Sequence, residues 1–212
     1  MKKSLFATTL FSCGILNAAT PIDGLYSSVF GGYEYIPSNL NIVRSGLFFN
    51  SASYNGGWHA GLRFGYQSNP MRYELEYTYL RANLDRFNIN FSRQLGVDGY
   101  FSASLLMANV YYDFPDMLPQ ISPFLGVGIG YAIMEARYRS VGPFVPISYR
   151  PDNNEFAYQG TAGLTYNFAE NYSANIAYRY VATNRADNFG RSFDAHLGSV
   201  GVIYRFDEAR YK

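Results

Sequence analysis

Residues 58–67 read Trp58-His59-Ala60-Gly61-Leu62-Arg63-Phe64-Gly65-Tyr66-Gln67, and residues 72–80 read Arg72-Tyr73-Glu74-Leu75-Glu76-Tyr77-Thr78-Tyr79-Leu80. Both alternate between two chemically distinct faces. The first sets Trp58, Ala60, Leu62, Phe64 and Tyr66 against His59, Gly61, Arg63, Gly65 and Gln67. The second sets Tyr73, Leu75, Tyr77 and Tyr79 against Arg72, Glu74, Glu76 and Thr78. A period of two is the mark of a strand whose faces meet different media. Ser68-Asn69-Pro70 between them carries turn chemistry, and folding there sets Arg63 opposite Glu76 as a cross-strand pair.

The same alternation recurs along the chain. It is clear over 156–168 and 172–182, and weaker over 24–36, 100–114, 123–134 and 193–206. With the opening hairpin this makes eight expected strands, each near the ~10 residues that a tilted membrane strand needs. Short turns follow at Ser68-Asn69-Pro70, at Pro115-Asp116 with Pro119, and at Ala169-Glu170-Asn171. The other four connections are long, roughly 20, 18, 20 and 10 residues by this reading. Short turns at one end and long loops at the other are the pattern of an outer-membrane barrel, with the loops outside the cell. The expected fold is all-β: an eight-stranded antiparallel up-and-down transmembrane β-barrel with four external loops.

Composition supports lipid, rather than water, around that barrel. The 212 residues include 21 Tyr, 17 Phe, 1 Trp and 20 Gly, with only 16% charged and a net charge of +1. Such a balance excludes a long basic nucleic-acid binder, and no cofactor is implied. Past residue 20 no apolar run approaches the ~20 residues of a membrane helix. A soluble eight-stranded barrel is the competing arrangement. Turning the aromatics outward into water would expose patches beyond what soluble monomers carry. Turning them all inward would overfill an eight-stranded bore. The apolar face therefore meets lipid, and tyrosines near strand ends (Tyr66, Tyr79, Tyr112, Tyr166, Tyr172) suit interfacial girdles.

Residues 1–18 are expected to be a secretory signal, cleaved after Ala18 or Ala19, with the barrel domain spanning 20–212. Lys2 and Lys3 form the positive start, residues 4–16 are apolar, and Ala18-Ala19 supply the small residues. A lipoprotein signal modified at Cys13 is the rival, disfavoured by Phe11 and by the apolar run continuing past Cys13. Cys13 is the single cysteine, so the exported chain would hold no disulfide and no cysteine-based metal site. Losing Lys2 and Lys3 leaves 15 basic against 16 acidic residues, a net of −1.

On this register the inward face carries Arg63, Arg72, Arg179 and Arg205 against Glu34, Glu74, Glu76 and Asp113. A balanced set reads as an electrostatic plug with its charges paired, since a selective pore shows an excess of one sign. A narrow outer-membrane pore is the alternative. Gly126-Val127-Gly128-Ile129-Gly130 has the wrong spacing for a nucleotide loop, and its alternate glycines make room for large inward groups on neighbouring strands. A lipid A-modifying membrane enzyme is less favoured. His59 is expected inward, while His196 and Ser199, three apart on a strand, face opposite sides and form no dyad. No His, Asp and Glu cluster points to a metal. The external loops carry arginines, among them Arg86, Arg93, Arg137 and Arg139, and an apolar run at Phe144-Val145-Pro146-Ile147. They are candidates for contact with anionic lipopolysaccharide or an extracellular host ligand. Loops packing on one another are the simpler alternative.

Several motifs carry a family resemblance. Residues 199–206, SVGVIYRF, place Val202, Tyr204 and Phe206 on one face and resemble the C-terminal signal read by the barrel-assembly machinery, although residues 207–212 follow Phe206. NVYYDF (109–114), SPFLGVGIGYA (122–132) and YRY (178–180) resemble recurrent motifs of eight-stranded outer-membrane β-barrels, which include opacity-type surface proteins and the membrane domain of outer-membrane protein A. Taken together in order the motifs are specific for fold and say little of activity; the expected protein is a monomeric barrel of the Gram-negative outer membrane with no enzymatic site, surrounded by lipid and lipopolysaccharide. Its role would be structural or surface-interactive, adhesion-like, through the external loops.

Overall fold

The computed structural model describes residues 23–37, 40–44, 48–54, 56–89, 92–93, 97–114, 121–141, 146–149, 152–185 and 192–206. The expected leader at 1–18 and Phe144 lie outside them. Eight long strands build one closed sheet: β1 (Gly24–Tyr35), β2 (Gly57–Ser68), β3 (Met71–Ile89), β4 (Val97–Asp113), β5 (Ile121–Val141), β6 (Asp152–Asn167), β7 (Tyr172–Arg185) and β8 (Ser192–Arg205). Each strand pairs antiparallel with its sequence neighbours, and β1 pairs with β8 from Tyr26↔Arg205 to Tyr35↔His196. Closure leaves no edge among these eight strands, which satisfies their ladder amides inside lipid. At the short-turn end, Phe206 N donates to Leu25 O at 2.9 Å and Asp113 N to Pro70 O at 2.8 Å, tying the strand ends together.

The two faces of the sheet are what the alternation requires. Val127 is 70% exposed and Leu75 63%, while Glu76 and Arg179 are 0% exposed. Charges inside and aliphatic side chains outside is an arrangement stable only with hydrocarbon around it. The outward aliphatic band, including Val29, Leu62, Leu106, Ile176 and Val200, is bounded by aromatics at both ends. Tyr66, Tyr112, Tyr166 and Tyr172 sit toward the short turns; Tyr33, Trp58, Tyr131 and Tyr178 sit toward the loops. Tyr79 is half-buried on the loop side, against Trp58 at 5.8 Å between ring centroids.

The external ends differ from the expectation. β3 continues to Ile89 and β5 to Val141, well past Leu80 and Met134, where alternation fades. Four short strands extend the sheet further. Leu40–Arg44 pairs with Phe48–Tyr54, which pairs with the outer end of β3; Ser92–Arg93 also pairs with β3, and Pro146–Tyr149 pairs with β5. Arg86, Arg93, Arg137 and Arg139, expected in loops, therefore have backbones in strands. Alternation records where lipid meets the strand, whereas ladder pairing needs only backbone groups and runs on beyond the bilayer.

Candidate functional site

The barrel interior has two storeys. The lower one, nearer the short turns, holds the charges. Arg63 Nε donates to Glu76 Oε2 at 2.7 Å and lies 3.5 Å from Glu74 Oε2, across the register pair Arg63↔Glu76. Arg72 reaches Glu74 Oε1 at 3.4 Å and Asp113 Oδ2 at 2.9 Å. Arg179, from β7, donates through Nη1 to Glu76 Oε1. β3 and β7 stand on opposite sides of an eight-stranded closed sheet, so this contact spans the bore. The Thr78 hydroxyl donates to the same Glu76 oxygen at 2.9 Å. A carboxylate at 0% exposure thus has three charged or polar donors around it, the condition under which a buried charge is tolerated.

Aromatic rings fill the space between these ions. The Arg63 guanidinium carbon stands 3.9 Å from the Phe30 ring centroid and that of Arg179 4.6 Å, so one ring serves two cations. Arg72 lies 4.9 Å from Tyr111 and 4.8 Å from Phe124. Tyr26 donates its hydroxyl to Glu74 at 2.5 Å. Facing glycines provide the room: a Cβ at Gly65 would strike the Tyr26 ring, at Gly61 the Phe30 ring, and at Gly126 the Tyr111 ring. Gly128 and Gly130 likewise clear Asn109 and Met107. The alternate glycines of β5 do make room for large inward groups next door.

The upper storey is apolar. Leu80, Ala82, Phe101, Leu105, Met134, Val181, Phe193 and Leu197 form one buried cluster with neighbouring small residues. Phe101 and Phe193 stack at 5.0 Å across the interior. The eight inward charges are thus only part of the filling: at this level inward positions are occupied mainly by apolar side chains, as in the core of a soluble protein. Glu34 projects into this level at 0% exposure, and neither carboxylate oxygen has a hydrogen-bond partner among the described residues.

All eight expected interior charges are buried, but not all are brought together. Six form the network above. Glu34 and Arg205 sit at opposite ends of the bore and make no ion pair among the described residues, so the expectation of complete pairing fails for these two; the acid near Arg205, Asp113, is engaged by Arg72 instead. Sequence reasoning also missed the inward aromatics Tyr26 and Phe30. They share parity with Glu34 on β1, and that shared parity was the available signal. It missed the partner of His59 as well: His59 Nε2 and Ser199 Oγ are 2.9 Å apart, reaching over β1 at Gly32. His196 faces the other way, its Nδ1 2.6 Å from the Tyr178 hydroxyl. His59 and Ser199 are 1% and 3% exposed, and among the described residues His59 Nδ1 has no hydrogen-bond partner. Among the described residues no group of three His, Cys, Asp or Glu could hold a metal.

At the short-turn end, Val202 is outward on β8, with Tyr204 and Phe206 half-buried beyond it, their rings 5.1 Å apart. Tyr204 also packs on Tyr172 at 5.1 Å. The outer membrane protein beta-barrel domain family matches residues 6–206. The chain belongs to that family. It is accordingly an outer-membrane β-barrel protein of the Gram-negative type. Uncharacterised proteins of Brucella abortus and Brucella suis are 26% identical over 163 residues; the match takes in 67% of this chain and 57% of theirs, so it spans little more than half the length of those relatives. Neisserial surface protein A is 19% identical with a TM-score of 0.59, covering 86% of this chain and 97% of that one. OprG from Pseudomonas aeruginosa is 13% identical, with a TM-score of 0.54 over 89% and 100%. The outer membrane protease OmpT from Escherichia coli is 8% identical, with a TM-score of 0.52 over 89% and 100%. Likeness at these identities is likeness of fold, and the fold hosts a surface protein and a protease alike.

Proposed function

We propose that this barrel is a non-catalytic, monomeric scaffold whose external rim binds a polyanionic surface ligand, such as the sugar-phosphate region of lipopolysaccharide or an anionic host molecule. The observation that carries this reading is the extension of paired strands beyond the outer aromatic girdle. The β4–β5 ladder continues through Tyr100↔Arg137 to Asp98↔Arg139, and the outer end of β3 brings Arg86 opposite Ser53. Arginines are thereby carried above the membrane on backbone fixed by a ladder, where they steer and hold anions. The filled interior supports a scaffold over a narrow channel, because Arg179 and Glu76 meet across the bore. The enclosed His59–Ser199 pair supports an internal hydrogen bond over an enzyme. Val202, Tyr204 and Phe206, outward at the end of β8, suit recognition by the barrel-assembly machinery. The test is binding of lipopolysaccharide and of a sulfated polysaccharide to the refolded protein beside an Arg86→Ala, Arg93→Ala, Arg137→Ala, Arg139→Ala variant. Affinity should fall at least ~10-fold in the variant and lose most of its salt dependence. Equal binding by both proteins would remove the rim from consideration.

A further inference from the structure

The interior network leaves a remainder at its lower end. Glu74, Glu76 and Asp113 hold Arg63, Arg72 and Arg179 in ion pairs. Arg205 has no carboxylate at ion-pair distance among the described residues, although it is 3% exposed. Its guanidinium donates instead to three neutral acceptors: Gln67 Oε1 at 3.1 Å, Ser173 Oγ at 2.5 Å and Asn167 Oδ1 at 3.3 Å. A buried guanidinium with only neutral acceptors has its hydrogen bonds but not its counter-charge.

Beside it lies a small polar cavity of about 10 Å³, lined by Arg72, Arg205, Asp113, Thr165, Asn167 and Asn69 among others. That is room for one water-sized species. Thr165 is 4% exposed, and its hydroxyl has no hydrogen-bond partner among the described residues. Asp113 is the one acid of the lining, and its Oδ2 is taken by Arg72 Nε at 2.9 Å. Across the lower storey four guanidiniums (Arg63, Arg72, Arg179, Arg205) face three carboxylates (Glu74, Glu76, Asp113), a net of +1 that falls on Arg205, and the unpartnered Thr165 hydroxyl belongs to a residue lining the cavity beside it.

We propose that this cavity binds one small monovalent anion, chloride in the first instance, held by the Arg205 guanidinium and the Thr165 hydroxyl. Size excludes phosphate and sulfate, and the single uncompensated charge sets the valence. The cavity lies at the short-turn end, next to Asn69 of the β2–β3 turn, so the ion enters from the periplasmic side. In that position it ties β8 to β6 where the last strand closes the barrel.

The test uses the full refolded barrel in detergent at constant ionic strength, with gluconate exchanged stepwise for chloride or bromide. The expected result is a saturable rise in melting temperature of ~5 °C, followed by heat-modifiability on gels. Crystals grown in bromide should show one anomalous peak beside Arg205 and Thr165. Thr165→Val keeps the shape and removes the donor, and should move half-saturation to ~10-fold higher halide. Arg205→Gln should abolish the halide response. Should Arg205→Gln fail to refold, Thr165→Val and the bromide crystal decide the matter alone. Melting indifferent to halide, a Thr165→Val titration that overlays the wild type, or a cavity without an anomalous peak would each overturn the proposal.

Discussion

The two storeys of the bore sit on the same eight strands and the same inward face, yet they are stabilised by different physics. The lower one is held by partners: Glu76 alone faces Arg63, Arg179 and Thr78. The upper one is held by volume: the side chains of Leu105, Phe101 and Phe193 fill it, with the two rings stacked. Ion pairs need a particular atom at a particular place, so they fix strand register. Apolar packing tolerates any side chain of the right size. The barrel thus uses its lower storey for specificity of pairing and its upper storey for closing the external end.

Unfolding in urea from detergent or bilayers puts this contrast to work. The largest effect should come from Glu76→Gln, which leaves two buried guanidiniums short of their counter-charge and should cost about 3–5 kcal/mol. Glu76→Met combined with Arg179→Met should recover part of that loss, because a buried pair replaced by apolar groups is less costly than half a pair. A double variant as unstable as the sum of its parts would deny the coupling. Next in size is the upper storey: Leu105→Ala should cost about 2–4 kcal/mol through the cavity it leaves. Leu105→Met, near in volume, should cost under about 1.5 kcal/mol. Equal losses for the two would mean that the storey is not packed by volume.

The smallest effect is expected where the storeys meet their exception. Glu34 is a carboxylate within the apolar level, without a hydrogen bond. Glu34→Gln should therefore leave stability within about 1 kcal/mol of the wild type or raise it, since no partner is orphaned. Measured beside Glu76→Gln, it compares the same substitution in the two storeys. A loss matching that of Glu76→Gln would erase the distinction between them.

How much of this was legible in the sequence follows from what each region answers to. Arg63 and Glu76 could be paired from the alternation on either side of Asn69-Pro70, because lipid on one face imposes a strict period of two. The β5 glycines could be read as space-makers for the same reason. The upper storey was harder to read: Leu105 stands beside the equally apolar Leu106, and along β8 the inward Phe193, Ala195 and Leu197 are more apolar than Asp194 and His196 between them, so the polarity contrast there runs the other way. Tyr26 and Phe30 were hidden likewise by Leu25 and Val29 beside them. The outer run of β3 to Ile89 leaves lipid behind, and with it the medium that wrote the pattern. The rim arginines were thus placed in loops when their backbone is strand. Arg205 and Glu34 were inward by parity, but parity gives a face and not a partner.

The interior is shut by the Arg179–Glu76 contact below and the Phe101–Phe193 stack above. Planar-bilayer conductance of the refolded barrel tests that most directly. The wild type should give no steady channels, and Arg179→Ala should give none either, because the upper storey still closes the bore. Stable unitary currents through the wild-type barrel, altered by the Arg179 or Arg63 substitution, would contradict the filled scaffold and make the charged storey the lining of a pore.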